Sequence, residues 1–274
     1  MKPRLIATDL DGTAIKNDHM TMTDRTKEVF RRAAEGGIFV VPVTGRSLGV
    51  LPCGILPSYS YIVTSNGASV YDVKNRETII THHLTKKESE TAWSILSGTS
   101  DLVELFIKNK MAIDRHSFEN VRSMALPAHH LEYYANGDPL VLDSYSEFIK
   151  SDGMGIEKFY IPVNGSKDTE KVRSALTETG LFDVSTSGAN NVELNKRGVN
   201  KGATLRELCK MLGIDMKDVV AFGDESNDIT MLESVGWGVA VANAKADVHE
   251  AAKYSTLPNE EDGLAVFLEE TFGI

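Results

Sequence analysis

Cysteine is almost missing from this chain: Cys53 and Cys209 are the only two in 274 residues. Two thiols cannot build a disulfide framework or a cysteine-rich zinc site, and a reduced, cytoplasmic setting needs no further assumption. Long apolar runs are missing too, since no stretch reaches the roughly 18 residues that a membrane span requires. The apolar run after Met1-Lys2-Pro3-Arg4 is too short for a signal peptide and is interrupted by Asp9 and Asp11. Positive charge is in deficit, with 29 Lys and Arg against 39 Asp and Glu and a formal net charge of −10. Such a surface repels nucleic acid and anionic membrane faces at long range, which argues against both as partners. An anionic ligand would need a local cationic or metal site. Repeats and low-complexity linkers are also absent. What is present is an ordinary globular composition, 42% hydrophobic and 25% charged, in a length of roughly 1.8 average domains.

Leu5 to Ala7 with Leu10 read as a buried strand running into a turn at Asp11-Gly12-Thr13. Apolar or small residues at 26, 29, 30 and 33 after Thr23 predict a helix stopped at Gly36-Gly37. Ile38 to Val43 and Tyr61 to Thr64 are further apolar strands, and strand, helix, strand of this kind argues a parallel sheet. From about 84 to 187 the texture changes. Thr85 with Glu88 makes a capping box for a helix through Trp93 and Leu96, 102–107 and 111–113 read as a hairpin, Lys158 to Val163 as a strand, and Lys167 to Thr179 as a helix. Alternation of strand and helix returns after residue 200, with an amphipathic helix through Leu205, Leu208, Cys209 and Leu212. Strands over 218–223 and 239–241 and a helix over 261–270 follow.

In open α/β sheets, ligands bind at the carboxyl ends of the strands. Those ends carry Asp9-Leu10-Asp11-Gly12-Thr13, Thr44-Gly45-Arg46, Ser65-Asn66-Gly67 and Gly223-Asp224-Glu225-Ser226-Asn227-Asp228. Three carboxylates, Asp9, Asp11 and Asp224, converging in a small volume would repel one another without a cation, and hard oxygen ligands suit Mg²⁺. Period-two alternation puts Asp9 and Asp11 on one face if the strand runs regularly through both. One carboxylate can then attack and the other hold a proton. Lys201 adds a fixed positive charge, and the Thr44 hydroxyl with the backbone N–H groups around Leu10 and Gly45 adds neutral donors. That set fits a phosphoryl group, whose transfer needs charge neutralisation on its equatorial oxygens and in-line placement.

With these four segments, the chain resembles the haloacid dehalogenase-like phosphatases, and within them the Cof-type branch, whose cap is inserted late in the core. Asp-x-Asp-Gly-Thr stands at Asp9 to Thr13, the Thr after a strand at Thr44, the Lys at Lys201, and the acidic loop at 223 to 228. The resemblance implies an α/β fold: a Rossmann-like parallel-sheet core with helices on both faces at 1–83 and 188–274, plus an inserted α+β cap at 84–187. It also implies that Asp9 is the nucleophile and that Asp11 protonates the leaving alkoxide and then activates water. The Asp9 carboxylate, the Asp11 backbone carbonyl and the Asp224 carboxylate would hold Mg²⁺. Thr44, Lys201 and Asn227 would contact phosphate, Asp228 would support the loop, and Arg46 and Asn66 match positions near the substrate. Departures are Ala14, where the family usually has Leu, and a short, proline-rich segment between Arg46 and Ile62.

Other features read as structure rather than chemistry. Adjacent side chains in His82-His83 and His129-His130 diverge on a strand and share no helix face. Asn164-Gly165-Ser166 reads as a turn, Met20 and Met22 as packing, and Glu225 as an acidic first helical turn. The expected function is a Mg²⁺-dependent phosphatase of small phosphorylated metabolites, acting as a monomer or weak homodimer. The alternatives are a sugar-phosphate mutase and a non-catalytic phosphometabolite-binding module.

Overall fold

The computed structural model describes residues 2–52, 58–98, 102–124, 126, 128–151, 155–162, 169–187 and 191–274. Cys53, the Asn164-Gly165-Ser166 turn, Lys167 and part of the 46–62 segment lie outside the described residues. In chain order the elements are β1 (Leu5–Thr8), α1 (Asp24–Glu35), β2 (Phe39–Pro42), β3 (Tyr61–Thr64), β4 (Ser69–Asp72), β5 (Glu77–Thr81), α2 (Lys86–Leu96), β6 (Glu104–Ile107), β7 (Lys110–Asp114) and α3 (Arg115–Asn120). There follow α4 (Ala128–Asn136), β8 (Leu140–Leu142), α5 (Tyr145–Ser151), β9 (Ile156–Pro162), α6 (Thr169–Glu178), β10 (Phe182–Ser185), β11 (Asn191–Lys196) and α7 (Lys201–Met211). The chain closes with β12 (Val219–Gly223), α8 (Ile229–Ser234), β13 (Trp237–Ala240), α9 (Ala246–Ala251), β14 (Tyr254–Ser255) and α10 (Gly263–Phe272).

Two compact units share these elements. One comprises 1–45, 51–80 and 200–274, the other 46–50 and 81–199. The first holds a parallel sheet in the order β14-β13-β12-β1-β2. Its inner strands are buried throughout, as strands covered on both faces by helices must be. Thr23 caps α1 by accepting from Thr26 N, and the 26, 29, 30, 33 stripe is buried as its spacing demands. Asn200 caps α7 by accepting from Ala203 N at 2.9 Å, and Leu205, Leu208 and Cys209 face the core. β3 departs from the simple parallel sheet. It meets Val43 through a single parallel bridge at Val63 and otherwise heads a three-stranded sheet, β3-β4-β5, in which it runs antiparallel to β4.

The second unit is a six-stranded sheet, β10-β11-β9-β6-β7-β8, antiparallel except for β7 beside β8. One face packs Leu105, Phe159 and Leu194 against Ala92 and Leu96 of α2, Ile149 of α5 and Leu176 of α6. The Thr85/Glu88 capping box starts α2. The opposite face is partly polar: Lys158 Nζ meets Glu193 Oε2 at 3.2 Å and stands over the Phe106 ring, while Glu104 accepts from Tyr134 Oη at 2.6 Å. The compact units divide at 80/81 and 199/200, whereas the expected crossings were 83/84 and 187/188. The later boundary differs because β11 pairs with both β9 and β10, which ties residues 191–196 to the second sheet.

Candidate active site

Asp9 N donates to Phe222 O at 2.9 Å, continuing the β1/β12 ladder by one residue and standing the first carboxylate at the sheet's carboxyl edge. There the strand ends. Leu10 O accepts from Ala14 N and Ile15 N at 3.0 and 2.8 Å, so the chain coils back on itself and period-two alternation stops before Asp11. Gly12, at φ +74°, lets the turn press against the neighbouring loop. A Cβ there would stand 2.3 Å from Asp224 Oδ2. Thr13 Oγ1 donates to Asp224 Oδ1 at 2.7 Å, and Lys245 N donates to Asp224 O at 3.0 Å.

Lys201, the first residue of α7, is 1% exposed. Its Nζ lies 2.7 Å from Asp9 Oδ1 and 2.7 Å from Asp228 Oδ1. The other Asp228 oxygen accepts from the backbone N–H groups of Asp224 and Glu225, both at 3.0 Å. Asp228 therefore fixes both the lysine and the loop that carries Asp224. Side-chain oxygens of Asp9, Asp224 and Asp228 lie within 4.8 Å of one another, all buried. The third carboxylate of the cluster is thus Asp228, and the convergence expected of Asp9, Asp11 and Asp224 is corrected on that point. Asp11 lies outside that set, although its charge helps to raise Asp9, and its Oδ1 lies 2.9 Å from His19 Nδ1.

Burial drives the electrostatics. It pushes the Asp9 carboxyl above its ordinary 3.8 against the pull of Lys201, and it pushes Asp224 up further, helped by the Asp9 and Asp228 charges. Burial alone would lower Lys201, but Asp228 and Asp9 outweigh it and hold the ammonium firmly charged. Three carboxylates around one ammonium leave negative charge in excess in a dry volume, a donor set that suits a divalent cation.

Leu10 and Thr44 are buried beside this cluster's strand ends, Gly45 follows Thr44, and Thr44 O accepts from Asn66 N at 3.0 Å. Asn66 sits at φ +57° in the turn after β3, and its Oδ1 accepts from Asn227 Nδ2 at 3.2 Å. Arg46 belongs to the other compact unit, where its Nη1 donates to Val50 O at 3.0 Å. Met22 packs in the core, Met20 is exposed, and Glu225 pairs with Lys245 at 2.6 Å. Sequence reasoning missed the Thr13–Asp224 bond and His19. The signal for the latter was Asn17-Asp18-His19, a turn-forming run eight residues beyond Asp11.

The family model described as haloacid dehalogenase-like hydrolase matches residues 6–268. The chain belongs to that family. Among its relatives, the 5-amino-6-(5-phospho-D-ribitylamino)uracil phosphatase YcsE of Bacillus subtilis is 28% identical, with 96% of this chain and 93% of the relative covered. The phosphatase of the same name, YbjI, from Escherichia coli is 30% identical, with 96% and 94% covered. A solved haloacid dehalogenase-like hydrolase from B. subtilis superposes with a TM-score of 0.82 at 24% identity, covering 98% of this chain and 99% of that one, and shares its fold. Family and relatives together make this chain a phosphoric monoester hydrolase.

Proposed function

We propose that this hydrolase removes the phosphoryl group from small phosphorylated metabolites through an aspartyl-phosphate formed on Asp9. The observation that carries the reading is the buried bridge of Lys201 Nζ between Asp9 and Asp228, beside Asp224. An ammonium fixed on the nucleophile's own oxygen aims that carboxylate and offsets the negative charge that an incoming phosphate brings. Asp9 attacks phosphorus, the bond from phosphorus to the leaving oxygen breaks, and Asp11 supplies that oxygen's proton. Water then attacks the same phosphorus, Asp11 takes its proton, and inorganic phosphate departs as Asp9 is regenerated. Thr44, the N–H groups of Leu10 and Gly45, and Asn227 hold the phosphoryl oxygens, Asn66 orients Asn227, and Asp228 keeps the acidic loop in place.

Asp9, Asp224 and the Asp11 backbone carbonyl would hold Mg²⁺. That ion supplies charge neutralisation on the phosphoryl oxygens, and the excess of buried carboxylate supports it. The second compact unit, 46–50 and 81–199, is the cap that reads the organic part of the substrate, with Arg46 as its contribution nearest in sequence to Thr44. The protein works in the cytoplasm as a monomer or weak homodimer, without nucleic acid or membrane. A ribitylaminouracil phosphate heads the substrates to test, because relatives spanning nearly the whole chain carry that activity in their names; sugar phosphates come next. The test is phosphate release from p-nitrophenyl phosphate and a metabolite panel, with and without Mg²⁺. Asp9→Asn is expected to abolish turnover while the circular-dichroism melt is retained. Undiminished release by that variant sinks the reading.

A further inference from the structure

We propose that His19 is a positioning residue for Asp11, holding the proton-transferring carboxyl in its working orientation; this rests on the phosphatase reading above. The imidazole Nδ1 lies 2.9 Å from Asp11 Oδ1, and because an ionised carboxylate only accepts, the ring N–H is the donor whenever Asp11 is ionised. Asp11 lies past the end of β1, outside the buried cluster that fixes Asp9, Asp224 and Asp228, and its side chain is 30% exposed. A proton donor works only when aligned with the leaving oxygen, and misplacement of an acid by about 1 Å can cost as much as 10²-fold in rate.

The turn that presents His19 is built without needing its ring. Lys16 N donates to Thr21 O at 2.8 Å and His19 N to Lys16 O at 3.0 Å, while Asp18 Oδ1 accepts from Met20 N and Thr21 N. Asn259 Nδ2 ties the turn down through Ile15 O and Asn17 Oδ1, at 2.9 and 3.0 Å, and Glu260 accepts from Asn17 N. Within this anchored frame His19 adopts φ +60°, a conformation that few residues with a side chain take. The positive φ belongs to the closure of the turn, and at that position the imidazole reaches Asp11. The pair is too exposed for its attraction to matter much to stability, so its effect falls on the orientation of the carboxyl.

Two substitutions separate this role from a structural one. Glycine accepts the positive φ without strain, so His19→Gly deletes the ring while sparing the turn. Asparagine also tolerates this conformation and offers an amide N–H to Asp11, so His19→Asn is the rescue. The readout is kcat/KM on two substrates, because that ratio counts only steps up to departure of the leaving group. p-Nitrophenolate leaves without a proton; the alkoxide of a sugar phosphate does not. His19→Gly is expected to lower kcat/KM for the alkyl phosphate by about tenfold. For p-nitrophenyl phosphate the change should stay within about twofold, and His19→Asn should recover most of the loss. Equal losses on both substrates, no loss, a gain, or failure of asparagine to recover activity in a folded protein overturns the proposal. An active wild type that Asp9→Asn silences, with His19→Gly unchanged, removes His19 alone. A wild type that releases no phosphate removes the phosphatase reading itself.

Discussion

Lys201 stands where no water can take over for a missing partner. Its side chain is 1% exposed, and the carboxylates it bridges, Asp9 and Asp228, are 8% and 0% exposed. Lys201→Met would leave Asp9 and Asp228 uncompensated, and breaking one side of a buried ion pair costs about 3–5 kcal/mol. Denaturant unfolding of the variant should show a loss of that size, with activity gone even in the folded fraction. The residues of this cluster were legible in the sequence because their types and order are what phosphoryl chemistry requires. Which carboxylates meet was not. The choice between Asp11 and Asp228 turns on where β1 stops, and the stop is set by Leu10 O accepting three successive N–H groups from Thr13, Ala14 and Ile15. Nothing in a pattern of apolar residues announces that coil. Cys209 is a different case, its thiol pushed up to about 11 by burial, which leaves it a core residue rather than a reactive one.

Among the elements, the turn between β3 and β4 fixes more than its length suggests. Ser65, Asn66 and Gly67 all have positive φ, at 52°, 57° and 106°. A Cβ on Gly67 would fall 2.6 Å from Asn200 O and 2.7 Å from Thr204 Oγ1, at the start of the helix that begins with Lys201. Gly67→Ala should therefore destabilise by about 3 kcal/mol in thermal or denaturant unfolding. It should also depress kcat beyond what the folded fraction explains, because the start of α7 must move. Helices with caps and apolar stripes, α1, α2 and α7, were readable in advance, as were the all-apolar strands of the parallel sheet. β11 was not, although Asn191-Val192-Glu193-Leu194-Asn195-Lys196 alternates with period two. Its polar face is buried rather than solvated, where Glu193 meets Lys158 and Asn195 Nδ2 donates to Glu157 O. Polar residues mark a solvated edge only when water is there to receive them.

For the molecule as a whole, the excess of buried carboxylate makes stability depend on pH and on divalent cations. Asp9 and Asp224 have folded-state values raised above the 3.8 of the unfolded chain. Between 3.8 and those raised values the folded state binds more protons than the unfolded one, so this cluster's contribution to stability declines as pH rises through that window. A cation reverses the sign by taking the protons' place. Mg²⁺ should therefore raise the melting temperature, by the equivalent of about 2.7 kcal/mol when it stands at about 100 times its Kd. The increment should be larger at about pH 8 than at about pH 6, since protons compete for the same oxygens. Differential scanning fluorimetry across pH, with and without the ion, measures both effects; a shift that grows on acidification contradicts the proposed ligand set. The strand order β12-β1-β2 has a further consequence for how the protein is made. Asp9 leaves a ribosome 192 residues ahead of Lys201, the strand that pairs with β1 on its acidic-loop side begins at Val219, and Asp228 lies later still. Until Asp228 has been translated, no nascent polypeptide can gather these carboxylates around the lysine, so a chain terminated before that residue carries no complete reactive centre.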